Sequence, residues 1–316
     1  MNIVIIFAIL ISFIINITLL YLLIPTFRKH LPDKPNIRSS HIKVKPTGGG
    51  IIFVLTSSIF FLINGYNIIL GNLLLGIVGF IDDKKNLSSL LRFFLQFLFV
   101  NFLIYKSNLF NTFFQNNLLF INIIFWFASN VILIGIINFI NFMDGIDGLL
   151  AGSMIFIVLT SAIILKLNFY FLISALVAFL IWNWYPSKIF MGDAGSTFLG
   201  GFLALSLTNT PSFEESLLIF ISSTPLLLDA LTCILRRYFN NQKIFQPHKL
   251  HLYQRLHQSG WKHNLVSTLY IFWSIIISIS CISKNWSVIS ISLISMIIFG
   301  IFLDKKYAKP FLKKNF

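Results

Sequence analysis

The sequence predicts an all-α protein that crosses a membrane about eleven times, its N-terminus outside and its C-terminus cytoplasmic. Three observations predict it. Of 316 residues, 57% are hydrophobic and only 11% charged, more apolar surface than a water-soluble core of this size can hide. The apolar residues come in long runs, many approaching the roughly 20 residues with which a helix crosses about 30 Å of hydrocarbon. Of the 24 Lys and Arg, all but three sort to one set of alternate gaps between those runs.

In chain order the runs fall near 3–27, 48–64, 66–81, 89–105, 118–137, 149–166, 169–185, 196–210, 215–234, 265–282 and 286–303. The first lacks a basic leader and a small-residue cleavage site, and Arg28 and Lys29 follow it. It is expected to be a retained helix, not a cleaved signal peptide. Broken or tilted helices are the alternative for the pair 48–64 and 66–81. Cys233 and Cys281 each sit inside an apolar run, which argues against a disulfide or a zinc knuckle. No repeat and no separate soluble segment interrupts the pattern, so residues 1–316 are expected to form a single membrane-embedded domain.

Alternating these runs from an outside N-terminus puts all Lys and Arg except Lys106, Lys166 and Lys284 on one side. The basic side is cytoplasmic by the positive-inside rule. It holds the loops 28–47, 82–88, 138–148, 186–195 and 235–264 and the tail from Asp304. A net charge of +14 concentrated there meets an anionic leaflet and attracts anionic substrates. Lys305, Lys306, Lys313 and Lys314 are explained by orientation alone. The acidic residues are more telling, because Asp82, Asp83, Asp144, Asp147 and Asp193 all fall on this same side. Aspartate contributes little to topology, so these carboxylates need another reason.

Four stretches carry them. In "NFINFMDGIDG", Asn138, Asn141, Asp144 and Asp147 recur every third residue, and Gly145 and Gly148 suggest a turn or broken helix end. Backbone N–H groups at such an end are available to phosphate. In "GFIDDKKN", Asp82 and Asp83 repel each other unless a cation or proton intervenes. One could bind a metal while the other acts on a substrate proton. In "PSKIFMGDAGSTFLGG", Asp193 lies between Gly192 and Gly195, and Ser196 is placed to cap the next helix. A single carboxylate at a helix start suits Mg²⁺, and the helix start itself suits phosphate.

Further on, Pro225, Asp229, Thr232 and Arg236 form one polar stripe along an apolar run. "PHKLHLYQRLHQSG" follows, where His248, His251 and Arg255 share a face if the segment is helical and would hold a diphosphate. Zinc is disfavoured there, since His-x-x-His is not the metalloprotease spacing, no acidic residue sits between the histidines and no cysteine is near. His257 and His263 read as solvated loop residues. His251→Ala is expected to leave folding intact, because an interfacial loop adds little to the core.

In this order "DKPNIRSSH", "PTGGG", "GFIDDKKNLS", "NFINFMDGIDGL", "FMGDAGS" and "PHKLHLYQRL" resemble the polyprenyl-phosphate N-acetylhexosamine-1-phosphate transferases of glycosyltransferase family 4. That family includes the phospho-N-acetylmuramoyl-pentapeptide transferases. The likeness runs from about Asp33 to Leu256. It implies transfer of a sugar-1-phosphate from a UDP-amino sugar to an undecaprenyl-type lipid phosphate, with release of UMP. The implied cofactor is Mg²⁺, or Mn²⁺ in its place. Asp82, Asp83, Asp144 and Asp147 would be catalytic, and Asp193 with Asp144 would hold the metal. Asn138, Asn141, Lys84, Arg38, His41, His248, His251, Arg255, Gly192 and Ser196 would bind substrate. Whether Asp82 or Asp83 deprotonates the lipid phosphate or attacks the donor covalently stays open.

The opening motif and "HKLHLYQRL" look closer to the branch that starts O-antigen and other envelope glycans, since the histidine triplet of the muramoyl branch is missing. The resemblance implies a multi-pass protein of the bacterial inner membrane with its site facing the cytoplasm. Its partners would be membrane lipid and, by self-association, a homodimer, with no nucleic acid. The alternative is a transporter of an anionic substrate, whose ionisable residues would sit near the bilayer midplane on broken helices. Here they fall at run ends, with Asp229 the nearest exception.

Overall fold

The computed structural model describes residues 3–35, 43–244, 246 and 248–311. Helix accounts for 77% of it. The order is α1 (Ile3–His30), β1 (Pro32–Asp33), β2 (Lys45–Pro46), α2 (Gly50–Ile63), α3 (Ile69–Lys85), α4 (Ser89–Lys106), α5 (Asn108–Asn116), α6 (Leu119–Phe142) and α7 (Leu149–Leu165). It continues with α8 (Tyr170–Asn183), α9 (Gly192–Thr208), α10 (Phe213–Ser222), α11 (Thr224–Phe239), α12 (Leu252–Gln258), α13 (His263–Ile282) and α14 (Trp286–Lys306). The only strands among the described residues are β1 and β2, a short antiparallel pair with Asp33 opposite Lys45.

Every apolar run coincides with helix, and local polar residues set many of the ends. The Ser88 hydroxyl accepts the N–H of Leu91 at 3.3 Å and starts α4. The Asn285 side chain accepts the N–H groups of Ser287 and Val288 and starts α14. Asn86, at φ 51°, closes α3 in the left-handed region that asparagine tolerates. The pair 48–64 and 66–81 gives two unbroken helices, α2 and α3.

Two departures have physical causes. The run 215–234 is not one straight helix, because α10 and α11 meet at 75°. Pro225 has no N–H to continue the ladder, and the hydroxyls of Ser222, Ser223 and Thr224 donate to carbonyls three residues back. The gap 106–117 is not a plain loop either. Ser107 ends α4 and caps α5 in the same residue.

Among the described residues, five helices are long and apolar enough to cross a membrane, namely α1, α4, α6, α13 and α14, or six if the bent α10–α11 pair is one span. Their outward faces carry Phe7, Tyr21, Leu119, Phe120 and Ile291, side chains suited to hydrocarbon. The centre belongs to α9, buried along nearly its whole length and packed by α2, α3, α6, α7 and α10. Since α3 and α6 end where α9 begins, their last turns and the first turn of α9 share one end of the bundle.

Candidate active site

At that end lies a cavity of ≈570 Å³, lined among others by Asp82, Asp83, Asn141, Asp144, Asp147 and Asp193, with Arg92, Gln254 and His263. The start of α9 organises it. Both oxygens of Asp83 accept backbone N–H groups there, from Asp193 at 2.8 Å and Ala194 at 3.2 Å, so a carboxylate on α3 caps α9 from outside. Such an approach needs glycine twice. A Cβ on Gly79 would strike the Asp193 carbonyl, and Gly192, at φ +73°, would drive one into the Asp83 carboxylate.

Asp82 is equally engaged, accepting from the Leu87 N–H at 2.6 Å and from the Arg92 guanidinium at 2.8 Å. Arg92 reaches on to Asp193 at 3.5 Å, and the Asn141 amide donates to the other Asp193 oxygen at 2.8 Å. One cation therefore serves two carboxylates.

The loop 143–148 holds an opposed pair. Asp147 is buried, with one oxygen taking the Ser187 N–H at 3.0 Å and the Lys45 ammonium at 3.3 Å. Its other oxygen stands 3.5 Å from His263 Nδ1. Burial pushes its pKa up, but His263, the Ser187 N–H and Lys45 outweigh that and hold it near 2. Burial of Asp144, followed by the charges of Asp193 and Asp147, raises it to about 7, against a smaller lowering by the Gly192 N–H.

The other expected site residues lie elsewhere. Asn138 pairs with Gln96 through both amides, at 2.7 and 3.4 Å, and does not line the cavity. Lys84 is exposed and also outside the lining. Arg38 and His41 fall outside the described residues. Ser196 does not cap α9, which begins four residues earlier; it is buried, donating to the Gly192 carbonyl and accepting from Asn141.

The late loop departs most from expectation. His248 precedes α12, His251 is its N-cap, and Arg255 lies within it, so the three do not share a helix face. Burial, then His251 and Arg237, pushes the half-buried His248 down to about 3. His251 is 3% exposed, which removes the ground for expecting His251→Ala to leave folding intact. Arg255 is spent on Asp304 and on the carbonyls of Leu250 and Lys309. The loop instead brings Gln254 to the cavity, and α13 brings His263, which is buried and not solvated. Nothing in their spacing marked them. Arg92 had one legible signal, a cation in the first turn of the helix that follows the Asp82–Asp83 pair.

A family model described as Glycosyl transferase family 4 matches residues 66–210, which hold every carboxylate of the cavity from Asp82 to Asp193. The "Probable undecaprenyl-phosphate N-acetylglucosaminyl 1-phosphate transferase" of Bacillus subtilis (strain 168) is 31% identical over 327 residues, spanning 94% of this chain and 90% of that protein. The chain belongs to glycosyl transferase family 4. Two further relatives bear the name phospho-N-acetylmuramoyl-pentapeptide-transferase. The one from Dictyoglomus thermophilum is 32% identical over 79% of this chain and 87% of its own. The one from Caldanaerobacter subterraneus subsp. tengcongensis is 36% identical over 85% and 94%. The relatives of this chain thus include an undecaprenyl-phosphate N-acetylglucosaminyl 1-phosphate transferase by name as well as phospho-N-acetylmuramoyl-pentapeptide-transferases.

Proposed function

We propose that the protein transfers an N-acetylhexosamine-1-phosphate from a UDP-sugar to undecaprenyl phosphate, giving a polyprenyl-diphospho-sugar and UMP. The step would start O-antigen or another envelope glycan. The observation that carries this reading is the carboxylate set Asp82, Asp83, Asp144 and Asp193 around one open cavity at the ends of apolar helices. A soluble nucleotide sugar and a lipid phosphate at headgroup level can meet only at such a boundary.

Phosphoryl transfer between anions needs neutralisation and in-line positioning more than covalent chemistry. The donor set fits a hard cation, since Mg²⁺ is commonly held by one or two carboxylates and substrate phosphates. Asp193 and Asp144 are suited to that part, and the raised pKa of Asp144 is what a carboxylate awaiting a counter-charge shows. When bound, Mg²⁺ or Mn²⁺ supplies charge neutralisation to the donor diphosphate. Arg92 draws phosphate to the Asp82–Asp193 edge, and Asn141 orients Asp193. Asp147 fixes the loop that presents Asp144.

A phosphomonoester has its second pKa near 6, so the lipid phosphate is largely dianionic at neutral pH. Asp82 and Asp83 have their oxygens committed to N–H donors. Both facts favour direct attack over a covalent intermediate on either aspartate.

Incubating purified protein with undecaprenyl phosphate, Mg²⁺ and a panel of UDP-sugars should release UMP with a UDP-N-acetylhexosamine. No UMP with any donor, together with uptake of an anionic solute by vesicles containing the protein, would favour a transporter. The eleven-span arrangement in a bacterial inner membrane, with the cavity facing the cytoplasm, is part of the same reading. Single cysteines at Lys84 and Lys243 should then label from one side and a cysteine at Lys106 from the other. Labelling of Lys84 and Lys243 from opposite sides would overturn it.

A further inference from the structure

Beside the cavity, two chain segments bring together three donors of a softer kind. Cys233 lies on α11, one turn after Asp229, and His248 and His251 lie in the stretch leading into α12. Cys233 Sγ is 4.0 Å from His248 Nδ1. One ligand atom from each of the three residues lies within 4.8 Å of the other two. Cys233 and His251 are buried and His248 is half-buried. His251 Nδ1 has no hydrogen-bond partner among the described residues, the Asp229 carboxylate standing off at 3.7 Å. Buried polar atoms are seldom left this way without a ligand or water to satisfy them.

We propose that Cys233, His248 and His251 bind a Zn²⁺ ion, at a site separate from the carboxylate cavity. Thiolate and imidazole are the donors zinc favours, whereas Mg²⁺ takes oxygen, so donor type alone keeps the two cations apart. Bonds of about 2.0–2.3 Å in a tetrahedron put donors roughly 3.5 Å apart, so closing on the ion needs a contraction of about 1 Å. His248 can supply it, because it lies in a loop and only half-buried. On binding, the Cys233 thiol releases its proton to solvent and its sulfur bonds the metal. Water takes the fourth position.

The surroundings can carry the charge. Asp229 accepts the N–H groups of Leu252 and Tyr253 and the hydroxyl of Tyr270, and its carboxylate adds a negative charge 3.7 Å from His251. The thiolate and this carboxylate together offset two positive charges. Of the cations close by, Arg255 and Arg236 are occupied by Asp304, and Arg237 by the carbonyls of Lys243 and Ile244.

Such an ion would pin the late loop to α11. The loop runs directly into Tyr253, whose hydroxyl donates to the Phe142 carbonyl at 2.9 Å, and into Gln254 in the cavity wall. The metal would therefore hold the position of the active-site wall without touching substrate.

The test uses full-length protein without a histidine tag, stripped by chelator and reloaded with Zn²⁺ or Co²⁺ in excess Mg²⁺. About one zinc per chain should survive desalting, and Co²⁺ should give a thiolate charge-transfer band, as expected for a mixed thiolate and imidazole site. Cys233→Ser and His248→Ala should lose the retained zinc, and Cys233→Ser the band, while Cys281→Ser and Asp193→Asn keep both. Zinc should raise the unfolding temperature of the wild type and not of Cys233→Ser. Failure of wild-type protein to retain zinc, a cobalt spectrum without the band, or equal zinc in Cys233→Ser would overturn the proposal. None of these readouts depends on the transferase reaction.

Discussion

Two neighbouring groups of aspartates use the same side chain in opposite ways. Asp229 and Asp304, at the α11–α14 side, are saturated. Asp229 accepts from two backbone N–H groups and the Tyr270 hydroxyl, and Asp304 meets Arg236 at 2.5 Å and also Arg255. In the cavity, Asp193 shares Arg92 with Asp82, and no cation pairs with Asp144 among the described residues. The first group ties chain segments together. The second leaves negative charge uncompensated around an open space, which is what a site for cations and phosphates requires. The partners of a carboxylate, more than its burial, separate scaffold from reaction centre.

The sharpest way to break this comparison is Asp193→Asn. It keeps the shape but removes charge where charge has a function, so turnover should fall by about 100-fold or more and the Mg²⁺ requirement should rise steeply. Thermal unfolding without metal should change little. Wild-type turnover and Mg²⁺ dependence in this variant would make Asp193 a helix-start residue only.

Asp229→Asn should do the reverse. It puts an amide where three donors converge on a buried carboxylate, at a cost of about 3 kcal/mol. The unfolding midpoint should drop by several degrees, while turnover of the fraction still folded falls far less than in Asp193→Asn. Equal catalytic losses in the two variants would erase the distinction.

Asp147 lies between the extremes, at the cavity yet paired. Its folded pKa of about 2 is below the usual 3.8, so its stabilisation is fully present above pH 4 and is lost as pH falls toward 2. The shift corresponds to about 2 kcal/mol. Unfolding of the wild type and of Asp147→Asn should differ by that amount at neutral pH and converge in acid. A gap that stays constant down to pH 2 would mean that Lys45, Ser187 and His263 do not hold this carboxylate by its charge.

Much of the site was legible in sequence because its residues announce themselves. Five aspartates at the ends of apolar runs on a basic face have few structural explanations, and all six quoted motifs bring residues to the cavity wall. Gln254 was not legible, since a lone Gln at a helix start has no pattern to set it apart, and Arg92 offered only its place in the first turn after the Asp82–Asp83 pair. His263 was misread as solvated for the same reason. The error at His251 and Arg255 came from treating a charged loop as interfacial, when Asp229 and Asp304 fold it inward.

The sequence by itself determined the helical class, most of the apolar helices and the clustering of acidic residues between them. Periodicity, proline and glycine punctuation and charge sorting are local or one-dimensional properties, readable without contacts. Only the tertiary structure decided which aspartate is capped, paired or left exposed to its like. Asp82 and Asp83 are adjacent in the chain, yet one faces Arg92 and the other the start of α9. Those partners lie 10 and 110 residues away, and electrostatic energy depends on distance in space, which the order of residues does not contain.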